Sequence, residues 1–189
     1  TFTPKEGYTW SDGTSGARSA TWSIGRARLA TPAVSGTLTY TGSAQSPAWS
    51  NYDSSKLTIG GTNSATNAGS YSAAFTPKNN YQWNDGSTSA KSVSWSIGKA
   101  AGSLTLGESS VKLTGTSLTK TVTVNRAGDG TISASSSDPS TARVEAVSGG
   151  VKITGLKKGS AKITVKVAAG TNHTAPADKT ISVTVEMAS

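Results

Sequence analysis

The chain has 189 residues, with 18 Lys plus Arg against 10 Asp plus Glu and a formal net charge of +8. Its 59 Ser and Thr and 21 Gly far outnumber its 29 Leu, Ile, Val and Phe, a composition poor enough in large apolar residues to flag disorder but without the self-repulsion that sustains it. No Cys and a single His exclude disulfides, thiolate chemistry and ordinary zinc ligation, and the apolar runs are far shorter than the roughly 20 residues of a membrane-spanning helix.

In chain order, the first feature is an internal repeat. Residues 2–27 (FTPKEGYTWSDGTSGARSATWSIGRA) and 75–100 (FTPKNNYQWNDGSTSAKSVSWSIGKA) are identical at 15 of 26 positions at an offset of 73. Tyr8/Tyr81, Trp10/Trp83, Asp12/Asp85, Gly13/Gly86, Trp22/Trp95 and Ile24/Ile97 are among the matches. Residues 29–100 therefore read as one complete repeat, and residues 1–28 as the last third of a preceding one. A start at Thr1 instead of Met fits a piece of a longer protein.

Alternating apolar and polar residues predict strands through Tyr71-Ala73-Phe75, Val93-Trp95-Ile97, Val122-Val124, Val151-Ile153, Ile163-Val165-Val167 and Ile181-Val183-Val185. Ser, Thr and Lys between them suit the wet face of an antiparallel sheet. Turn chemistry separates the runs at Ser11-Asp12-Gly13, Asn84-Asp85-Gly86, Asp129-Gly130, Asp138-Pro139 and Gly149-Gly150. Short strands spaced by turns predict an all-β fold of tandem antiparallel sandwiches. All twelve aromatic residues lie between Phe2 and Trp95, so the core changes from aromatic to aliphatic near residues 100–102 and a domain seam is predicted there. The five-residue linker Gly98-Lys99-Ala100-Ala101-Gly102 predicts modules stacked end to end. Val185 closes the last strand, and the short tail to Ser189 reads as a C-terminus.

Residues 103–185 resemble the bacterial Ig-like group 2 module. The likeness runs through Ser103-Leu104-Thr105-Leu106, residues 136–144 (SSDPSTARV), residues 150–156 (GVKITGL) and residues 159–165 (GSAKITV). Residues 29–100, with Leu38-Thr39-Tyr40-Thr41-Gly42 and the repeated aromatic hairpin, look like another short bacterial Ig-like repeat. The resemblance implies tandem Ig-like β-sandwiches: 1–28 an incomplete repeat, 29–100 a complete one and 101–189 a group 2 module. It also implies an extracellular setting on a bacterial surface or a phage tail or capsid, with no catalytic residues to carry over.

Candidate chemistry is sparse. His173 lacks a nucleophile elbow nearby and reads as a loop residue, not a catalytic one. Asp12 and Asp85 read as turn caps. Asp129, Asp138 and Asp178 contain oxygen ligands suited to calcium but form no ligating run, and read as solvated loop acids. Trp22, Trp95, Tyr71 and Phe75 fit inward strand positions. Trp49, Tyr52, Tyr81 and Trp83 flank turns or lie in the polar stretch 46–55, where a ring with polar neighbours suits stacking on a sugar; such rings equally plug the ends of small sandwiches. The basic residues are dispersed, as at Lys152, Lys162 and Lys166, with Arg26-Ala27-Arg28 and Lys157-Lys158 the densest runs. That pattern predicts weak, salt-sensitive attraction to anionic cell-wall polymers or membranes, with no sequence-specific nucleic-acid binding and no membrane insertion.

The leading functional expectation is a non-catalytic, cofactor-free spacer and adhesion module at the end of a longer surface or virion protein. Its partners would be neighbouring Ig-like modules or subunits and, weakly, cell-surface or cell-wall glycans. The alternatives are a purely structural module of a tail, capsid or filament, and an accessory domain of a secreted glycan-cleaving enzyme.

Overall fold

The computed structural model describes residues 1–115 and 117–186. Residues 187–189, read above as the tail beyond the last strand, lie outside them. Every regular element among the described residues is a strand.

The N-terminal sandwich uses β1 (Ala27–Leu29), β2 (Ala33–Ser35), β3 (Leu38–Thr39), β4 (Ala48–Ser50), β5 (Leu57–Gly61), β6 (Gly69–Pro77), β7 (Tyr81–Trp83) and β8 (Lys91–Gly98). Its larger sheet has the order β3-β8-β6-β5, and the pairs β2-β4 and β1-β7 complete it. The C-terminal sandwich uses β9 (Ser103–Leu106), β10 (Ser110–Thr114), β11 (Thr119–Ala127), β12 (Ile132–Ser136), β13 (Ala142–Val147), β14 (Gly150–Gly155), β15 (Gly159–Val167) and β16 (Lys179–Glu186). Its two sheets have the orders β10-β16-β15-β12 and β13-β14-β11-β9. This is an all-β chain of Ig-like sandwiches.

The antiparallel expectation fails at three pairs: β1-β7, β3-β8 and β10-β16 are parallel. The last two share one cause. In each sandwich an early stretch is divided between sheets, β2 then β3 and β9 then β10, and its second half lies alongside the final strand. A chain that changes sheet without reversing can join that strand only in parallel.

The period-two pattern sets the cores. Ile163, Val165, Val167, Ile181, Val183 and Val185 point inward from one C-terminal sheet and meet Val122, Val124, Val151 and Ile153 from the other. Burying each Val or Ile stabilises the fold by about 1.5–3 kcal/mol before entropy is counted. The N-terminal core is built on Leu57, Ala73, Phe75, Trp83, Trp95 and Ile97, with Tyr71 half-buried beside Trp95. Both buried indoles are satisfied: Trp83 Nε1 donates to the Ser89 carbonyl at 2.8 Å and Trp95 Nε1 to the Thr62 carbonyl at 2.6 Å.

Asp-Gly turns use one local device. Asp85 Oδ1 accepts from the Ser87 backbone N–H and hydroxyl while Lys91 reaches Oδ2, and Gly86 takes the left-handed φ of 85° that a Cβ would disfavour. Asp12, Thr14, Arg18 and Gly13 repeat it. Residues 1–26 nevertheless overturn two expectations. They carry one isolated bridge, Phe2 to Arg18, instead of paired strands, and Trp22 is exposed instead of buried. The physical reason is partnership, since no strand among the described residues lies beside residues 19–25.

Candidate ligand groove and the joint between sandwiches

The four loop aromatics have separate fates. Trp83 is fully buried opposite Leu29, so its ring offers no face to a sugar. It is held there by the tight 83–87 turn and the indole bond to Ser89. Trp49 and Tyr52 are half-buried and both lean on Phe75, with ring centroids 4.9 and 5.5 Å away. Tyr81 is half-buried on β7, where it lines an open cleft of about 450 Å³ with Ile24, Arg26 and Asn80.

Tyr52 also lines a groove of about 280 Å³ together with Arg28, Asn51, Asp53 and Lys56. Asn51 adopts a left-handed φ of 57°, which reverses the chain after β4. The Asp53 carboxylate is fully engaged: Oδ1 accepts from the Ser55 N–H at 2.9 Å and its hydroxyl at 2.6 Å, and Lys56 lies 2.9 Å from Oδ2. The Ser55 hydroxyl first, and then Lys56, hold the Asp53 carboxyl well below the usual carboxylate range. Asp53 in turn raises the Lys56 ammonium. Proton transfer near neutral pH needs a group poised there, and this pair is locked in its charged form. The groove is equipped to stack and hydrogen-bond.

A second assembly joins the two sandwiches. The Ala100 N–H donates to the Asn172 carbonyl and the Thr174 N–H to the Ala100 carbonyl, each at 2.9 Å. Asn172 reaches back with its side chain, accepting from the Ala68 N–H at 2.8 Å and donating to Asn67 Oδ1 at 3.3 Å. Lys99 Nζ donates to the Gly170 carbonyl at 2.7 Å, and Tyr40 meets the His173 ring edge to face with centroids 5.3 Å apart. Gly102 leaves the linker no spare room, because a Cβ there would collide with the Thr174 carbonyl.

Asp129 organises the C-terminal side of this joint. Its Oδ2 accepts from the Asn172 N–H at 2.9 Å, and Oδ1 lies 3.1 Å from His173 Nδ1. The Asn172 N–H first, and then His173, lower the Asp129 carboxyl to about 2. An Asp–His pair is two-thirds of a hydrolytic triad; this one fastens the 170–174 loop that carries Asn172 to the other sandwich. Sequence reasoning assigned both residues to solvated loops and overlooked Asn67 and Asn172. No sequence pattern links Asn172 to Ala68, 104 residues away.

Asp138 and Asp178 have partners as well. Asp138 caps a turn through Ser140 and then Thr141, which lower its carboxyl to about 2. Asp178 pairs with Lys166 at 3.0 Å. Among the described residues no three His, Cys, Asp or Glu groups are placed to hold a metal ion, and no helix is long and apolar enough to cross a membrane.

The sequence matches no protein-family profile and no curated protein. Among solved structures, the chain is similar to domains 4 and 5 of the S-layer protein SbsC, at 14% identity over 85% of this chain and 100% of that one, with a TM-score of 0.37. It is also similar to SbsC domains 4–9, at 14% identity over 86% of this chain and 31% of that one, with a TM-score of 0.39. Fibronectin(III)-like modules of Clostridium thermocellum CbhA match at 16% identity over 82% and 91% of the two chains, with a TM-score of 0.32.

Proposed function

We propose that this chain is a non-catalytic tandem spacer of an extracellular protein exposed on a bacterial surface or a phage particle. Residues 29–100 and 101–189 are its two modules, and 1–28 belong to a preceding repeat. The observation that carries the reading is the hydrogen-bonded joint at Ala68, Lys99, Ala100 and Asn172, which replaces a free tether with a stitched seam. Inter-domain contacts of this kind reduce the relative motion otherwise expected of linked domains. Polar outward faces rich in Ser and Thr suit a body surrounded by solvent, and the resemblance to bacterial Ig-like modules agrees with the setting. Small-angle scattering of the whole chain beside Asn172→Ala tests it. A single narrow shape that broadens in the variant supports the spacer. A wild-type profile already typical of freely jointed beads sinks it.

A second role is favoured by the Tyr52 groove, which Tyr52 lines together with Arg28, Asn51, Asp53 and Lys56. This groove makes weak contacts to cell-surface glycans, and repetition along a longer protein multiplies them. A glycan array at low and moderate salt, run with Tyr52→Ala, decides the matter. Binding that survives moderate salt and vanishes in the variant supports the contact. Silence, or equal loss with salt in both proteins, leaves the spacer without a ligand.

A further inference from the structure

Residues 1–26 repeat the bridge and turn bonds of residues 74–99. Phe2 bridges to Arg18 as Phe75 pairs with Lys91. The Trp10 N–H donates to the Thr14 carbonyl at 2.7 Å, as Trp83 does to Ser87 at 2.8 Å. Trp10 Nε1 donates to the Gly16 carbonyl at 2.8 Å, as Trp83 does to Ser89 at 2.8 Å. Arg18 lies over the Trp10 ring at 5.0 Å, and Lys91 over Trp83 at 5.5 Å. The turn is therefore built alike in both copies.

Burial differs. Phe2, Trp22 and Ile24 are 62%, 81% and 84% exposed, whereas Phe75, Trp95 and Ile97 at the matching positions are 0%, 4% and 2% exposed. Three large apolar side chains whose counterparts enter the core are left uncovered here, and exposed apolar surface of this kind marks interaction sites. The second copy also supplies the template for what covers it. Trp95 and Ile97 lie on β8, which β6 flanks through Tyr71↔Trp95 and Gly69↔Ile97, while β3 adds Leu38 beside Ile97. Trp95 is further anchored by the Thr62 carbonyl. Every one of these covering groups lies between residues 29 and 73.

We infer that residues 2–25 are a docking surface for one occupant: a polypeptide stretch patterned as residues 29–73. Such a stretch would lay an aromatic-x-Ala strand antiparallel to residues 18–25 and a short Leu-bearing strand parallel on the other side, forming a sandwich of the same kind as residues 29–100. Strand addition of this type draws affinity from main-chain hydrogen bonds and specificity from alternate side chains. The inference rests on assigning residues 1–28 to a preceding repeat, and it is independent of the joint at Asn172.

The test is the full chain extended at its N-terminus by a second copy of residues 29–73, so that Thr1 follows as residue 74 does. The emission of Trp22, isolated as the difference from Trp22→Phe in each background, is read under acrylamide quenching. Quenching of Trp22 is expected to fall several-fold on extension, to the level of a buried indole, and a further cooperative unfolding transition is expected in urea. An extension of shuffled sequence should do neither. Trp22 left freely quenched without a new transition, or equal shielding by the shuffled extension, overturns the inference. Neither result bears on the scattering test of the joint.

Discussion

Removing the ring of Phe75 tests whether the two cores are energetically separate. Phe75 is fully buried and supports Trp49 and Tyr52. Truncating a buried Phe to Ala costs about 3–5 kcal/mol, through lost transfer energy and the cavity left behind. At roughly 0.05–0.15 kcal/mol per residue, a 72-residue module has only about 4–11 kcal/mol to lose. Phe75→Ala should therefore remove roughly a quarter or more of the N-terminal module's stability. The aliphatic core of the other module contains none of these rings and should be nearly unaffected. The chain provides the assay, because all five Trp precede residue 96 and so report only on the N-terminal part. In urea, the transition seen by Trp emission should move to much lower denaturant, while the later transition seen by far-UV circular dichroism stays in place. Ile163→Ala should do the reverse. Equal displacement of both transitions by either substitution would refute separate cores, and an unmoved Trp transition in Phe75→Ala would refute the central place given to that ring.

Acid should weaken the C-terminal module in a defined window. Its folded-state Asp138 carboxyl is lowered from 3.8 to about 2 by Ser140 and Thr141, so its stabilising effect is present above the unfolded value and is lost as pH falls towards 2. Urea midpoints should be flat near neutrality and drop between about pH 4 and 2, and Asp138→Ala should start lower at neutral pH and fall less steeply. Gly150→Ala should destabilise the same module by about 1–3 kcal/mol, because the added methyl meets the Val122 carbonyl on the neighbouring strand. A urea midpoint unchanged from wild type would show that β11 and β14 can move apart at no cost.

What the sequence determined alone was everything set over a few residues. Alternation of Val and Ile with Thr and Lys marked β11, β14, β15 and β16, because a strand has no other way to keep one face dry. The Asp-Gly turns were legible for the same reason: an Asp side chain caps its own backbone two residues on, in either copy of the repeat. The change from aromatic to aliphatic residues was likewise visible by inspection. Tertiary structure decided the rest, since it depends on which segments meet. Trp10 and Trp83 hold matching positions in the repeat and make the same local bonds, yet only Trp83 has a sandwich to enter. Trp22 and Trp95 differ in whether strands lie alongside and a carbonyl receives the indole. Asn172, Asp129 and His173 read as loop residues until folding brought them to Ala68, Asn67 and Tyr40, and no local pattern records a partner a hundred residues away. The parallel pairings of β3 with β8 and β10 with β16 belong to the same class. Alternation specifies which face of a strand is dry, while its neighbour and direction follow from how the whole chain closes around its cores.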